Sequence, residues 1–316
     1  MSRMNSKYYA SLLVTAVMAF MGCKKSSGPA PAKNVDVYLA GNVTTADNHL
    51  VAAYWKNGVI AKLTDGTKNA NALGIVVNGS DVYVVGNENF TGGIYWKNGV
   101  ATKLGANTDV SSITIDGNDV YVYGENSAGS AYWKNGILNQ VSNIGLSIDC
   151  RSCIAVRGND VYIVGRTNSG LYWKNDIPVS LPSDLGGDRV SSILLNGSDI
   201  YLAGTTNYGD VAYWKNGVAT VQPQRSYGLA SAIAVNGSDV YLSGSSYASS
   251  GNLVATYWKN NVATQLTDGI FSSTADAIAL NGDDVYVAVN PGGYWHKGVL
   301  TQIANSRIYG IAIVRR

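Results

Sequence analysis

The chain has 316 residues, of which 46% are hydrophobic and only 14% charged, with 36 glycines, 21 tyrosines and a formal net charge of +2. This composition excludes a mostly disordered chain and favours turns and aromatic strands over helices. It also argues against nucleic acid as a partner, because no basic run is present to displace counterions from phosphates.

At the start of the chain, Arg3 and Lys7 precede an apolar run from Tyr8 to Met21 that is too short to span a bilayer comfortably. Residues 1–22 therefore read as a signal peptide. Beyond the lysines at 24, 25 and 33, the remainder carries 18 basic against 21 acidic residues, a net of −3. The stretch Ala19-Phe20-Met21-Gly22-Cys23 resembles the lipobox of bacterial lipoproteins, with Phe20 standing where that motif carries leucine. The resemblance implies lipidation of Cys23 and a bacterial cell-envelope location; an ordinary secretory signal with a chance cysteine is the alternative. Lys24 after the cysteine resembles the outer-membrane sorting state, with the domain facing the periplasm or else the cell surface. Residues 23–33 show no apolar periodicity and read as a flexible tether.

From residue 34 to 316 one motif governs the chain. Tyr54-Trp55-Lys56-Asn57-Gly58 returns with its tryptophan at Trp96, Trp133, Trp173, Trp214, Trp258 and Trp295, which uses all seven tryptophans. Their spacings of 41, 37, 40, 41, 44 and 37 residues mark a repeat architecture. Each unit reads as four short strands, for example Ser231–Val235, a turn at 236–239, Val240–Gly244, the strand of Tyr257-Trp258, and a fourth of the type Val218–Val221. Asn-Gly between strands signals a type I′ hairpin, which needs positive φ at both central residues. Where the glycine is replaced, Asp176 and Asn261 stand in, residues that tolerate the left-handed region.

The other tight turn, as in Asn78-Gly79-Ser80-Asp81, occurs six times against seven tryptophans. The missing copy falls where the chain is cut: the repeats begin with a second strand, Asp36–Leu39, and end with a first strand, Gly310–Val314. Pairing those ends completes a seventh unit, so the expected fold is an all-β, seven-bladed β-propeller of four-stranded blades closed by its own termini. The residue before the repeated isoleucine is small throughout (Gly74, Ser112, Cys153, Ser192, Ala232, Ala277, Gly310), which places that strand innermost. From Cys23 to Arg316 the chain is most similar to bacterial lipoproteins built from Tyr-Trp-Lys-Asn-Gly repeats, a resemblance that implies the propeller fold.

Chemistry is less legible. The Tyr-Trp pairs could be sugar-stacking platforms, one per blade, but both faces of a blade pack on neighbours, so core packing is expected. The aspartate before each second-strand tyrosine is expected to close its own turn through its side chain. Cys150 and Cys153 could form a disulfide or remain small buried groups. No nucleophile with a histidine partner, no catalytic residue, no metal site and no cofactor is expected.

Strand alternation puts both tight turns on one face and both variable connections on the other, where binding is expected. Equivalent positions after the second-strand glycine on that loop face are Asn42, Asn87, Glu125, Arg166, Thr205 and Ser245; Glu125 and Arg166 could bind a ligand or simply pair with each other. Aromatic Phe90, Tyr208, Tyr227, Tyr247 and Phe271 join them. The expectation is a monomeric, lipid-anchored binding scaffold for a protein or glycan. A polysaccharide-acting enzyme over the central channel and a multivalent lectin are the alternatives.

Overall fold

Asparagine-glycine turns between short strands build the same antiparallel sheet seven times. The computed structural model describes residues 35–89, 91–141, 150, 152–165, 171–181, 189–222 and 228–316. Every regular element among them is a strand, and the strands form seven four-stranded sheets, each holding one tryptophan of the repeat. Numbering blades by their tryptophans, blades 2 to 7 use consecutive strands; blade 6 runs Gly228–Asn236, Asp239–Tyr247, Leu253–Lys259 and Val262–Gln265.

Blade 1 is composite, with Ser306–Arg315 innermost, followed by Val35–Thr44, Leu50–Lys56 and Val59–Lys62. Its two terminal strands pair antiparallel from Val35 opposite Arg315 to Val43 opposite Ser306. The chain is therefore the seven-bladed β-propeller that the phase of the repeat predicts, closed by its own ends.

The hairpin turns have the predicted conformation. Asn57 and Gly58 have φ of 51° and 81°, and the substituted copies keep it, with Asp176 at 66° and Asn261 at 69°. Asparagine and aspartate accept this left-handed region more readily than other non-glycine residues.

Adjacent Tyr and Trp point to opposite faces of their strand, and each enters a different inter-blade core. Tyr38 and Tyr54 of blade 1 pack with Ile75, Val84 and Trp96 of blade 2. Trp55 packs on the other side, with Tyr286, Ala288 and Tyr294 of blade 7. Six tryptophans are at most 2% exposed; the seventh, Trp295, is half-buried and tilts against Tyr257 at 5.4 Å between ring centroids. The motif aromatics are thus the mortar between blades, and a stacking platform repeated on each blade has no exposed tryptophan to use.

The polar half of the motif is paired within its blade at the surface, and not in the way the turn reading expected. The aspartate does not close its own turn; it reaches sideways to the neighbouring hairpin. In blade 2, Asn98 Nδ2 donates to Asp81 Oδ1 at 2.8 Å, the Val82 N–H donates to Asn98 Oδ1 at 2.8 Å, and Lys97 Nζ lies 2.8 Å from Asp81 Oδ2. The Lys97 ammonium also stands 5.2 Å from the centre of the Tyr83 ring. The same Lys-Asp-Asn-Tyr cluster recurs in blades 1 and 3 to 6. Blade 7 departs from it: His296 stacks on Tyr286 at 3.9 Å, while Lys297 makes the ion pair to Asp284 at 2.9 Å.

These clusters predict an acid limb in the stability profile. Arg316 and then Asn57 hold the Asp36 carboxyl down at about 2, and lysine followed by asparagine lowers Asp81, Asp119, Asp160, Asp199 and Asp239. A carboxyl whose folded pKa lies below its unfolded value of about 3.9 contributes stability above that value and loses it as pH falls through the folded one. The calorimetric melting midpoint is therefore expected to drop between about pH 5 and pH 2, and Asp36→Asn should make that drop shallower. A midpoint flat over this range would contradict the prediction.

Candidate functional site

With the Lys, Asp and Asn of the motif paired within their blades and its Trp packed between them, the loop face must supply the open chemistry. The structure sorts the residues expected there into two groups. Asn42 is 1% exposed and donates from Nδ2 to Asn71 Oδ1 of the next blade. Asn87 is half-buried and spans the following seam, from blade 2 to blade 3: its Nδ2 donates to Asp109 Oδ1 and, at 2.9 Å, to the Val110 carbonyl, while the Val110 N–H donates to Asn87 Oδ1 at 2.9 Å. Asn290 does likewise from blade 7 to Ile308, at 2.7 and 2.8 Å. This position rivets one blade to the next. Sequence comparison passed over Asn290 because Val289 replaces the glycine that marks the site in other blades.

Glu125 lies directly opposite Asp109 across the strand ladder. Burial raises both carboxyls, and Asp109 raises Glu125 further. Among the described residues, no third metal-ligating side chain joins them. Arg166 and Tyr227, along with Phe90, lie outside the described residues. Cys150 and Cys153 are joined in a disulfide, and Cys153 is fully buried.

The exposed group lies between blades 5 and 6. Tyr208 is 70% exposed, Tyr247 53% and Leu229 46%. A cleft of about 310 Å³ opens beside them, lined chiefly by Arg189, Thr205, Thr206, Asn207, Leu229 and Tyr247. The connection from Asp199–Thr205 to Val211–Lys215 forms one wall as a tight turn. The Thr206 N–H donates to the Asp210 carbonyl at 2.8 Å, and the Gly209 N–H to the Thr206 carbonyl at 2.9 Å, with Gly209 at a φ of 83°.

Two bonds tie this turn to blade 6: the Gly228 N–H donates to the Gly209 carbonyl at 3.0 Å, and Thr205 Oγ1 to the Gly228 carbonyl at 3.4 Å. Arg189 faces Thr205 across the ladder with an exposed side chain, and among the described residues no carboxylate pairs with it. The sequence reading missed Arg189. Its signal was available, since it holds the same first-strand position as Asn71, Asp109 and Leu229.

No protein-family model matches the chain, and no curated protein matches it. Solved structures do. A puromycin-hydrolyzing peptidase of Mycobacterium tuberculosis is similar with a TM-score of 0.57 at 10% identity, over 87% of this chain and 52% of its own, so this chain spans about half of the peptidase. YCF48 bound to D1 peptide is similar with a TM-score of 0.50 at 14% identity, over 87% of this chain and 98% of its own. At these identities the likeness shows the propeller fold alone.

Proposed function

We propose that this chain is a non-enzymatic binding propeller, held at a bacterial envelope membrane by a lipid on Cys23, that takes a protein or glycan partner on its loop face. The observation that carries this reading is the asymmetry between the two faces. On the turn face, charged motif residues are neutralised within each blade, and exposed apolar side chains such as Val59, Val100, Ile137 and Val218 recur at one equivalent position per blade round the rim. On the loop face, Tyr247 and an arginine with no carboxylate partner among the described residues line one cleft, with Tyr208 on the turn beside it. Irregular loops on a rigid scaffold are a usual place for recognition.

The test is an array of glycans and envelope proteins probed with wild type, with a Tyr208→Ser/Tyr247→Ser variant and with a Val59→Ser/Val100→Ser variant of the opposite face. Loss of the signal in the first variant alone supports the reading; loss in the second alone rejects it. Lipidation is tested separately, by incorporation of a fatty-acid label that Cys23→Ser should abolish.

A second reading, a polysaccharide-acting enzyme, draws on the Asp109 and Glu125 pair. A carboxyl raised by burial beside a second carboxyl is suited to donate a proton. Release of shortened saccharides, abolished by Glu125→Gln, would establish it, and absence of turnover across polysaccharides would reject it.

A further inference from the structure

The cleft between blades 5 and 6 narrows the class of ligand, and this step rests on the loop-face reading above. Arg189 supplies a planar cation that can hold a carboxylate through two parallel hydrogen bonds, and among the described residues it has no such partner inside the protein. Tyr247 leaves half of its surface open at the cleft, and Tyr208 stands on the turn that forms the wall. An open phenol ring offers an apolar face and a hydroxyl at its tip, which suits a ring that is itself apolar on one face and hydroxylated at its edge. Asn207 and Thr206 add amide and hydroxyl groups to the lining.

The two second strands at the cleft are closed to a peptide laid down as a strand. Asp199–Thr205 is already paired on both sides, with Arg189–Asn196 and Val211–Lys215, and so is Asp239–Tyr247, with Gly228–Asn236 and Leu253–Lys259. Neither of these two strands has a free edge for main-chain addition, and the free edges of their sheets nearby are the inner edges of Arg189–Asn196 and Gly228–Asn236. The inter-blade bonds from Gly228 to Gly209 and from Thr205 to Gly228 fix the floor before anything arrives, which lowers the ordering cost of binding.

We propose that this cleft binds an acidic saccharide, with a uronate carboxylate on Arg189 and the adjoining pyranose ring against Tyr247. The test is titration calorimetry of the purified full chain with a galacturonate trisaccharide and with its methyl ester, which keeps the rings and removes the charge. The expected result is one site per chain for the acid, at least tenfold weaker for the ester, with the acid also weakened at least tenfold by Arg189→Gln and by Tyr247→Ala. Arg157→Gln, on the turn face, should leave it unchanged. Equal binding of acid and ester, lost in Tyr247→Ala, would overturn the acidic ligand while leaving the loop face intact. Binding unaffected by both cleft variants would overturn the site, and no binding of either saccharide would overturn the ligand class.

Discussion

Removing residues 306–316 is expected to abolish the cooperative unfolding transition, or to lower its midpoint by well over 10 °C. The deleted strand is the inner member of blade 1, paired along nearly its whole length with Val35–Thr44. It buries Ile308 and Ile311 among Val37, Leu39 and Trp55. Two isoleucine side chains of this kind carry roughly 3–6 kcal/mol of burial, before the lost ladder is counted. Whole domains are stable by only about 5–15 kcal/mol, so the loss is of the order of the whole. The deletion also leaves Val35–Thr44 unpaired on its inner side and opens the seam with blade 7.

Thermal melting by circular dichroism reads the effect, and a synthetic 306–316 peptide in excess should restore part of it by mass action. A midpoint equal to wild type would mean that blade 1 does not depend on its borrowed strand.

Gly86→Ala is expected to cost about 3 kcal/mol or more, whereas Gly79→Ala should cost about 1 kcal/mol. The contrast separates two reasons for glycine. At Gly79 the φ is +59° and an added Cβ would meet nothing within 4 Å, so the cost is backbone strain alone. At Gly86 an added Cβ would stand 1.8 Å from the Asn71 carbonyl oxygen and 3.0 Å from the Ala72 Cα. Backbone is what it meets, so no side-chain rotation relieves the clash.

The cause is a bulge in the innermost strand between Ala72 and Gly74, which presses that strand against its neighbour. Gly41, Gly124, Gly204 and Gly244 meet the same approach at 1.9 to 2.1 Å. In blade 7 the position is Val289, so the strands there must stand far enough apart to admit a side chain. Urea titration of the two variants gives both values, and comparable costs would show that the inner strands yield.

The blade count, the ring closure and the hairpin turns were legible in the sequence because two adjacent residues encode each turn, and seven copies test the encoding. Asp176 and Asn261 in place of glycine were informative for that reason. The bulges were not legible: they are a matter of register between strands, and only the recurrent glycine after the second-strand core hints at them. The roles of Asn87 and Asn290 were hidden because the partners they reach in the next blade lie 22 to 23 and 18 residues away, across a packing seam. The aspartates were hidden by distance alone, since the asparagines they bind lie 15 to 21 residues on, in a hairpin of the same blade. Arg189 was missed because exposure and the absence of a partner are properties of the assembled surface, not of the motif.

The composite first blade also gives the molecule a direction. Val35 lies opposite Arg315, at the end of the ladder remote from the connection between Thr44 and Leu50. Chain entering at Val35 therefore joins the face of the tight turns, and the chain finishes on that same face. An attachment placed ahead of Val35 would turn the tight turns toward its anchor and present the cleft of Arg189 and Tyr247 on the far side, facing outward like the bowl of a cup set on its base.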